Sequence, residues 1–210
     1  MKTEFEILEL KKQMAQVGRF LASKGWSPAT SSNYSHLLSA DKILISRSGV
    51  DKYNMLDSDY IQIDFHGQVI ESAIPNAKSS AETLIHTTIY KNRENTQCVL
   101  HTHSPENTRL SLRFEDEEEL LFSGYELQKG LGDTKTHEGT LRIPILPNAQ
   151  NMTDFSKDVE KLLKAEPDIW GFLIAGHGLY TWGRTLAEAK RHIETFEFLF
   201  QCRSLELMGV

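Results

Sequence analysis

Cys98-Val99-Leu100-His101-Thr102-His103 decides how this chain is read. Three apolar residues in a row have the character of a buried strand, and they pass directly into two histidines one residue apart. Side chains alternate faces along a strand, so both imidazoles project the same way, an arrangement that suits two ligands on one metal ion. A catalytic zinc site typically keeps three protein ligands and one open position, so a third nitrogen is wanted. His177 is the best candidate. It follows a second buried run, Gly171-Phe172-Leu173-Ile174-Ala175, and stands between Gly176 and Gly178, where the backbone can turn sharply and nothing bulky shields the ring. By itself a His-x-His pair is a weak motif, and a lone histidine at a strand end is more often a hydrogen-bonding or surface residue.

Outward from this run the chain alternates strands and helices. Leu10, Met14, Val17 and Leu21 lie at helical spacing and predict an amphipathic helix that stops at Gly25. Ala29-Thr30-Ser31-Ser32-Asn33-Tyr34-Ser35 has no hydrophobic period and reads as a loop. Residues 42–46 form a short strand before a Ser48-Gly49 turn, and residues 60–71 alternate around His66-Gly67 as a hairpin. Ser79 and Glu82 have the spacing of a capping box that opens a helix through about Tyr90, and another helix follows from Ser104.

Residues 114–120 carry five acids in seven positions and read as a solvated loop. Beyond it the pattern predicts a short helix at 125–131, a strand at 140–146 and an amphipathic helix at 153–163. Leu179 to Trp182 are extended. Thr185 and Glu188 supply a second capping box for a final helix with Ala189, Ile193, Phe196, Leu199 and Phe200 on one side. The expected architecture is α/β, a mixed sheet with helices packed on its faces, as a single domain over residues 1–210.

A net charge of −6 with interleaved signs argues against a general nucleic-acid or membrane-surface binder, while leaving room for a few local donors to hold one phosphate. Cys98 and Cys202 make no metal or disulfide pattern, so a reducing, cytoplasmic setting is expected. The early acids Glu4 and Glu6 and the lack of any run approaching about 20 apolar residues predict a soluble, untargeted protein.

Val99-Leu100-His101-Thr102-His103-Ser104, with Ser79-Ser80-Ala81-Glu82 upstream and Gly176-His177-Gly178 downstream, resembles the class II aldolase/adducin superfamily in order and separation. Gly124-Tyr125-Glu126-Leu127-Gln128-Lys129-Gly130 and His177-Gly178-Leu179-Tyr180-Thr181-Trp182-Gly183 are similar to its dehydratase branch. The likeness runs from Gly25-Trp26 to the last helix. It implies a three-layer class II aldolase-like fold with a mixed, mainly antiparallel central sheet. It also implies one zinc ion per subunit on His101, His103 and His177, hydro-lyase chemistry on a small phosphorylated ketose, and a cyclic homotetramer with sites close to subunit boundaries.

Further residue roles follow from the same resemblance. Glu126 matches the acid/base glutamate of the dehydratase branch, and Lys129, one helical turn later on the same face, is a substrate- or phosphate-binding candidate. Ser32, Asn33, Ser48, Gly49, Ser79 and Ser80 match the phosphate-binding loops, although many relatives have glycine where this chain has Ser32. Relatives place the acid equivalent to Glu82 beside the metal, whereas the capping box with Ser79 gives it a sufficient structural role here. Trp26, Tyr180 and Trp182 read as core more readily than as a wall for an apolar substrate tail. The alternatives are a sugar-phosphate aldolase or epimerase and a non-catalytic domain like the adducin head, which lacks the histidine set.

Overall fold

The computed structural model describes residues 2–209, so the outermost residues of the expected domain, Met1 and Val210, lie outside the described residues. Helix α1 (Glu4–Ser23) opens on a complete capping box between Thr3 and Glu6, and buries Leu10, Met14 and Leu21. It ends in a turn through Gly25, whose φ of +77° is of the kind glycine adopts without strain.

Among the described residues nine strands follow in one sheet: β1 (Asn33–Ser39), β2 (Lys42–Ser46), β3 (Tyr60–Ile63), β4 (Val69–Glu71), β5 (Cys98–Thr102), β6 (Glu119–Phe122), β7 (Leu141–Leu146), β8 (Gly171–Ile174) and β9 (Gly178–Gly183). Their spatial order is β4-β3-β2-β1-β5-β9-β8-β7-β6. Only β7 and β8 run parallel, because helix α4 (Met152–Ala165) carries the chain back between them, as a parallel connection requires. The sheet is therefore mixed and mainly antiparallel, as expected.

Helices cover both faces. Helices α1, α3 (Pro105–Arg113) and α5 (Leu186–Met208) enclose a core with Leu110, Ile193, Phe196 and Phe200 against Leu44, Leu100 and Leu179. Helices α2 (Thr83–Asn92) and α4 enclose the other, with Ile85, Ile89, Phe155 and Val159 against Ile43, Val99, Phe172 and Trp182. Each such buried side chain contributes about 1.5–3 kcal/mol, so both helix layers are firmly fixed to the sheet. β5 divides its residues by parity: Leu100 faces α5 and Val99 faces α2, so His101 follows Val99 onto the α2 face.

Three local expectations change. Asn33, Tyr34 and Ser35 belong to β1, because pairing with both β2 and β5 outweighs their polar composition. The acidic segment is a loop only through Glu118; Glu119 and Leu120 join β6, with Leu120 buried. Thr185 caps α5 by accepting the Glu188 N–H, but the Glu188 carboxylate turns back to the Arg184 N–H and guanidinium, so the second box is half formed.

On the α5 side of β5, Glu197 is buried beside Asn107, whose Nδ2 donates to it at 3.0 Å, while its other oxygen has no partner. Burial pushes this carboxyl up to about 8, against the opposing influence of the nearby Ser104 hydroxyl and the Asn107 amide. From the ordinary glutamate value of 4.5 up to about 8 the folded chain keeps a proton that the unfolded chain releases. Stability should therefore fall as pH rises through that window, by up to about 1.4 kcal/mol per pH unit. Urea unfolding across the window checks this: Glu197→Gln should flatten the slope, and an unchanged slope would contradict a neutral buried carboxyl.

Candidate metal centre

Four side chains from three parts of the fold converge on the α2 face at the end of β5. His101 is the penultimate residue of β5, His103 lies just past its end, His177 sits in the β8–β9 turn and Glu82 immediately precedes α2; one ligand atom from each lies within 4.8 Å of all the others. The His177 turn depends on its glycines. Gly176 has φ +62°, and a Cβ at Gly178 would stand 2.2 Å from the Thr102 carbonyl oxygen of the neighbouring strand.

The His101 ring is held directly, and His103 and His177 are held through their backbones. His101 Nδ1 donates to the Leu179 carbonyl at 2.9 Å, which leaves Nε2 unprotonated and turned to the cluster, and the ring stacks on Tyr180 at 3.9 Å. The His103 N–H donates to the Trp26 carbonyl at 2.8 Å, and Thr108 Oγ1 donates to the His177 carbonyl at 3.1 Å. Tyr180 and Trp182 are fully buried and Trp26 packs edge-on against Phe20, so all three serve the core.

His101 Nε2 and His103 Nε2 are buried and have no hydrogen-bond partner. Orphaned buried nitrogens are destabilising, and a cation among the four side chains would satisfy both. The protonation states agree with that. Burial, reinforced by the neighbouring imidazoles, holds His101 well below its usual value and His103 down to about 4, so both are neutral ligands at pH 7. Burial alone would push the Glu82 carboxyl up, but hydrogen bonds from His177 and Asn33 and the nearby imidazoles hold it well below the usual carboxylate range.

The expected capping box at Glu82 does not form. Glu82 makes no side-chain cap bond to α2, and Ser79 Oγ donates instead to the Gly67 carbonyl at 2.9 Å. The carboxylate reaches His177 Nε2 at 2.9 Å and lies 3.7 Å from His101 Nε2 because Asn33 Nδ2, at 2.5 Å, draws it toward β1. Asn33 is thereby engaged through both ends of its side-chain amide, with the second N–H of its NH2 group left over.

The remaining loop residues gather around this point. The Ser48 N–H donates to the Lys78 carbonyl at 2.8 Å, joining the Ser48-Gly49 turn to the Ser79-Ser80 loop, and Ser80 Oγ accepts the Glu82 N–H at 3.2 Å. Gly49 has φ +75° and open space where a Cβ would stand. Ser32 has φ +72°, a left-handed conformation that costs a non-glycine residue about 1 kcal/mol. Ser32→Gly should therefore raise the unfolding free energy by up to about 1 kcal/mol, read as a slightly higher urea midpoint, and a clear loss of stability would show that the hydroxyl matters more than the backbone.

Glu126 does not join the four. It starts the 3-10 turn Glu126–Gly130 after β6, the edge strand separated from β5 by β9, β8 and β7. Its carboxylate is exposed and paired with Lys129 Nζ at 2.5 Å and His137 Nδ1 at 3.1 Å. The Lys129 hydrogen bond, then its charge and His137, hold the Glu126 carboxyl below its ordinary value against slight desolvation.

Two neighbours carry no motif. Lys52 is almost fully buried, donates to the Val50 carbonyl at 2.9 Å and is pushed down to about 8 by burial. His86 lies one helical turn beyond Glu82, a spacing that puts the two on one face of α2 and is the signal that could have found it.

Residues 12–204 match the family model described as Class II Aldolase and Adducin N-terminal domain. The chain belongs to the class II aldolase and adducin family. Within it the chain is 45% identical over 199 residues, 95% of its own length and 94% of the relative's, to a methylthioribulose-1-phosphate dehydratase of Marinobacter nauticus. It is 44% identical to the enzyme of that name from Stenotrophomonas maltophilia, covering 95% of this chain and 91% of the relative. The fold is that of an L-fuculose 1-phosphate aldolase, with a TM-score of 0.78 at 17% identity over 100% of this chain and 89% of the other. Class II aldolase family members use a divalent metal, and the Glu82, His101, His103 and His177 donor set fits one.

Proposed function

We propose that the chain is a zinc-dependent hydro-lyase that converts 5-methylthioribulose 1-phosphate to 2,3-diketo-5-methylthiopentyl 1-phosphate in methionine salvage. The observation that carries this reading is the 45% identity to a methylthioribulose-1-phosphate dehydratase over 95% of the chain. His101, His103 and His177 would hold the ion, with Glu82 beside it; a mainly imidazole donor set suits zinc. When bound, the ion supplies Lewis-acid polarisation of the substrate ketone and stabilisation of developing negative charge.

Removal of the C3 proton and departure of the C4 hydroxyl as water give an enol, which tautomerises to the 2,3-diketone while the methylthio group stays attached. One carboxyl group can take the first proton and return one to the leaving hydroxyl if it reaches both atoms. Glu126 is assigned that shuttle, its lowered pKa leaving it ionised and ready to accept a proton. Its position beyond the edge strand, exposed and away from the histidines of its own chain, suits service in a neighbouring subunit's site. This supports the reading of a cyclic homotetramer with sites at subunit boundaries. Ser32, Asn33, Ser48, Gly49, Ser79 and Ser80 are assigned to the substrate phosphate, through hydroxyl, amide and loop N–H groups, and Lys129 to binding the substrate from beside Glu126.

No helix among the described residues is long and apolar enough to cross a membrane, and a cytoplasmic location fits an enzyme of small-molecule metabolism. The test offers methylthioribulose 1-phosphate and, separately, L-fuculose 1-phosphate to the metal-loaded protein. Diketone from the first and no carbon–carbon cleavage of the second is expected; cleavage of the second alone would make the chain an aldolase.

A further inference from the structure

Behind Glu82 a chain of buried hydrogen bonds runs through α2 and β1. Glu82 Oε2 meets Asn33 Nδ2 at 2.5 Å, Asn33 Oδ1 meets His86 Nε2, His86 Nδ1 meets Ser35 Oγ at 2.7 Å, and Ser35 Oγ meets the Tyr90 hydroxyl at 2.8 Å. Ser35 and His86 are fully buried, and Asn33 and Tyr90 nearly so.

The donor directions follow from one fixed point. An ionised carboxylate only accepts, so the Asn33 atom facing Glu82 is its NH2 and the atom facing His86 is its oxygen. That oxygen needs a donor, so His86 carries its proton on Nε2. A neutral imidazole has one N–H, so Nδ1 accepts from Ser35, and the Ser35 oxygen in turn accepts from Tyr90. Every donor points toward Glu82.

We infer that His86 is a positioning residue: through Asn33 it fixes the carboxylate of Glu82 at the histidine cluster. Without a donor at His86 Nε2 the Asn33 amide can flip, presenting its oxygen to Glu82 and driving the carboxylate away by repulsion between two acceptors. Burial holds His86 down to about 3, so the ring stays neutral and the direction of the chain persists across the neutral range. The inference rests on the metal-centre reading of the cluster and is independent of which sugar phosphate the enzyme takes.

The test uses the full chain and zinc alone. In nitrogen-15 spectra of histidine-labelled protein, His86 should be the neutral Nε2–H tautomer with and without zinc; an Nδ1–H tautomer would overturn the assignment. His86→Gln, whose amide can donate to Asn33 and accept from Ser35, should bind zinc within a few-fold of wild type. His86→Leu, similar in bulk but without donors, should lose roughly 10- to 100-fold in zinc affinity. Equal affinity of the leucine variant and wild type would refute the positioning role. Should that variant fail to fold, the tautomer in the unmodified protein still decides. Neither readout uses the sugar phosphate, so failure of the dehydratase reading would show separately.

Discussion

Alanine at His101, His103 or His177 should remove stoichiometric metal and turnover together, whichever of the three is replaced. Two of these rings turn buried, orphaned Nε2 atoms to the cluster, and the third reaches Glu82 from a turn that glycine alone permits. Removing a direct ligand should exceed the roughly 10- to 100-fold loss typical of the surrounding hydrogen-bonding shell. Metal content by elemental analysis and turnover, measured on the same preparations, check this. Variants that each kept one metal per chain would show that the cluster is only a buried polar network.

The second large effect is expected at Glu126. Glu126→Gln keeps the size of the side chain and removes its ability to cycle a proton, so turnover should drop by about 10²- to 10⁴-fold while metal content and substrate affinity change little. Glu82→Gln should behave differently: its carboxylate lies among the histidines, so weaker metal binding should accompany its loss of rate.

Co-expression of Glu126→Gln with His103→Ala separates a shared site from a self-contained one. In a cyclic tetramer that takes histidines from one subunit and Glu126 from the next, random mixing leaves about a quarter of the sites intact, and activity should return to about that level. Mixed protein as inactive as its parents would place both groups in one chain's site.

How much of this could be read in the sequence depends on whether the signal is local. Two same-face histidines and a glycine-flanked third are enough to bring His101, His103 and His177 together, because strand parity and the β8–β9 turn fix their directions. The helices and most strands follow their hydrophobic periods. Glu82 does not follow its local pattern: Ser79 and Glu82 have capping-box spacing, but the competing partners, Asn33 and His177, are distant in sequence and nothing local announces them. Asn33 is hidden for the same reason. Its polar neighbours suggest a loop, yet pairing with His101 of β5 makes it a strand residue whose amide faces inward. The exposed position of Glu126 is legible only once the strand order shows β6 at the edge.

The central claim, metal-dependent dehydration at the histidine cluster, is tested most directly by titrating zinc into metal-stripped protein while following conversion of methylthioribulose 1-phosphate to its diketone. Turnover should be absent at the start, rise in proportion to added zinc and level off at one ion per chain. Full dehydration by the stripped protein, or zinc-dependent carbon–carbon cleavage in place of loss of water, would contradict the account.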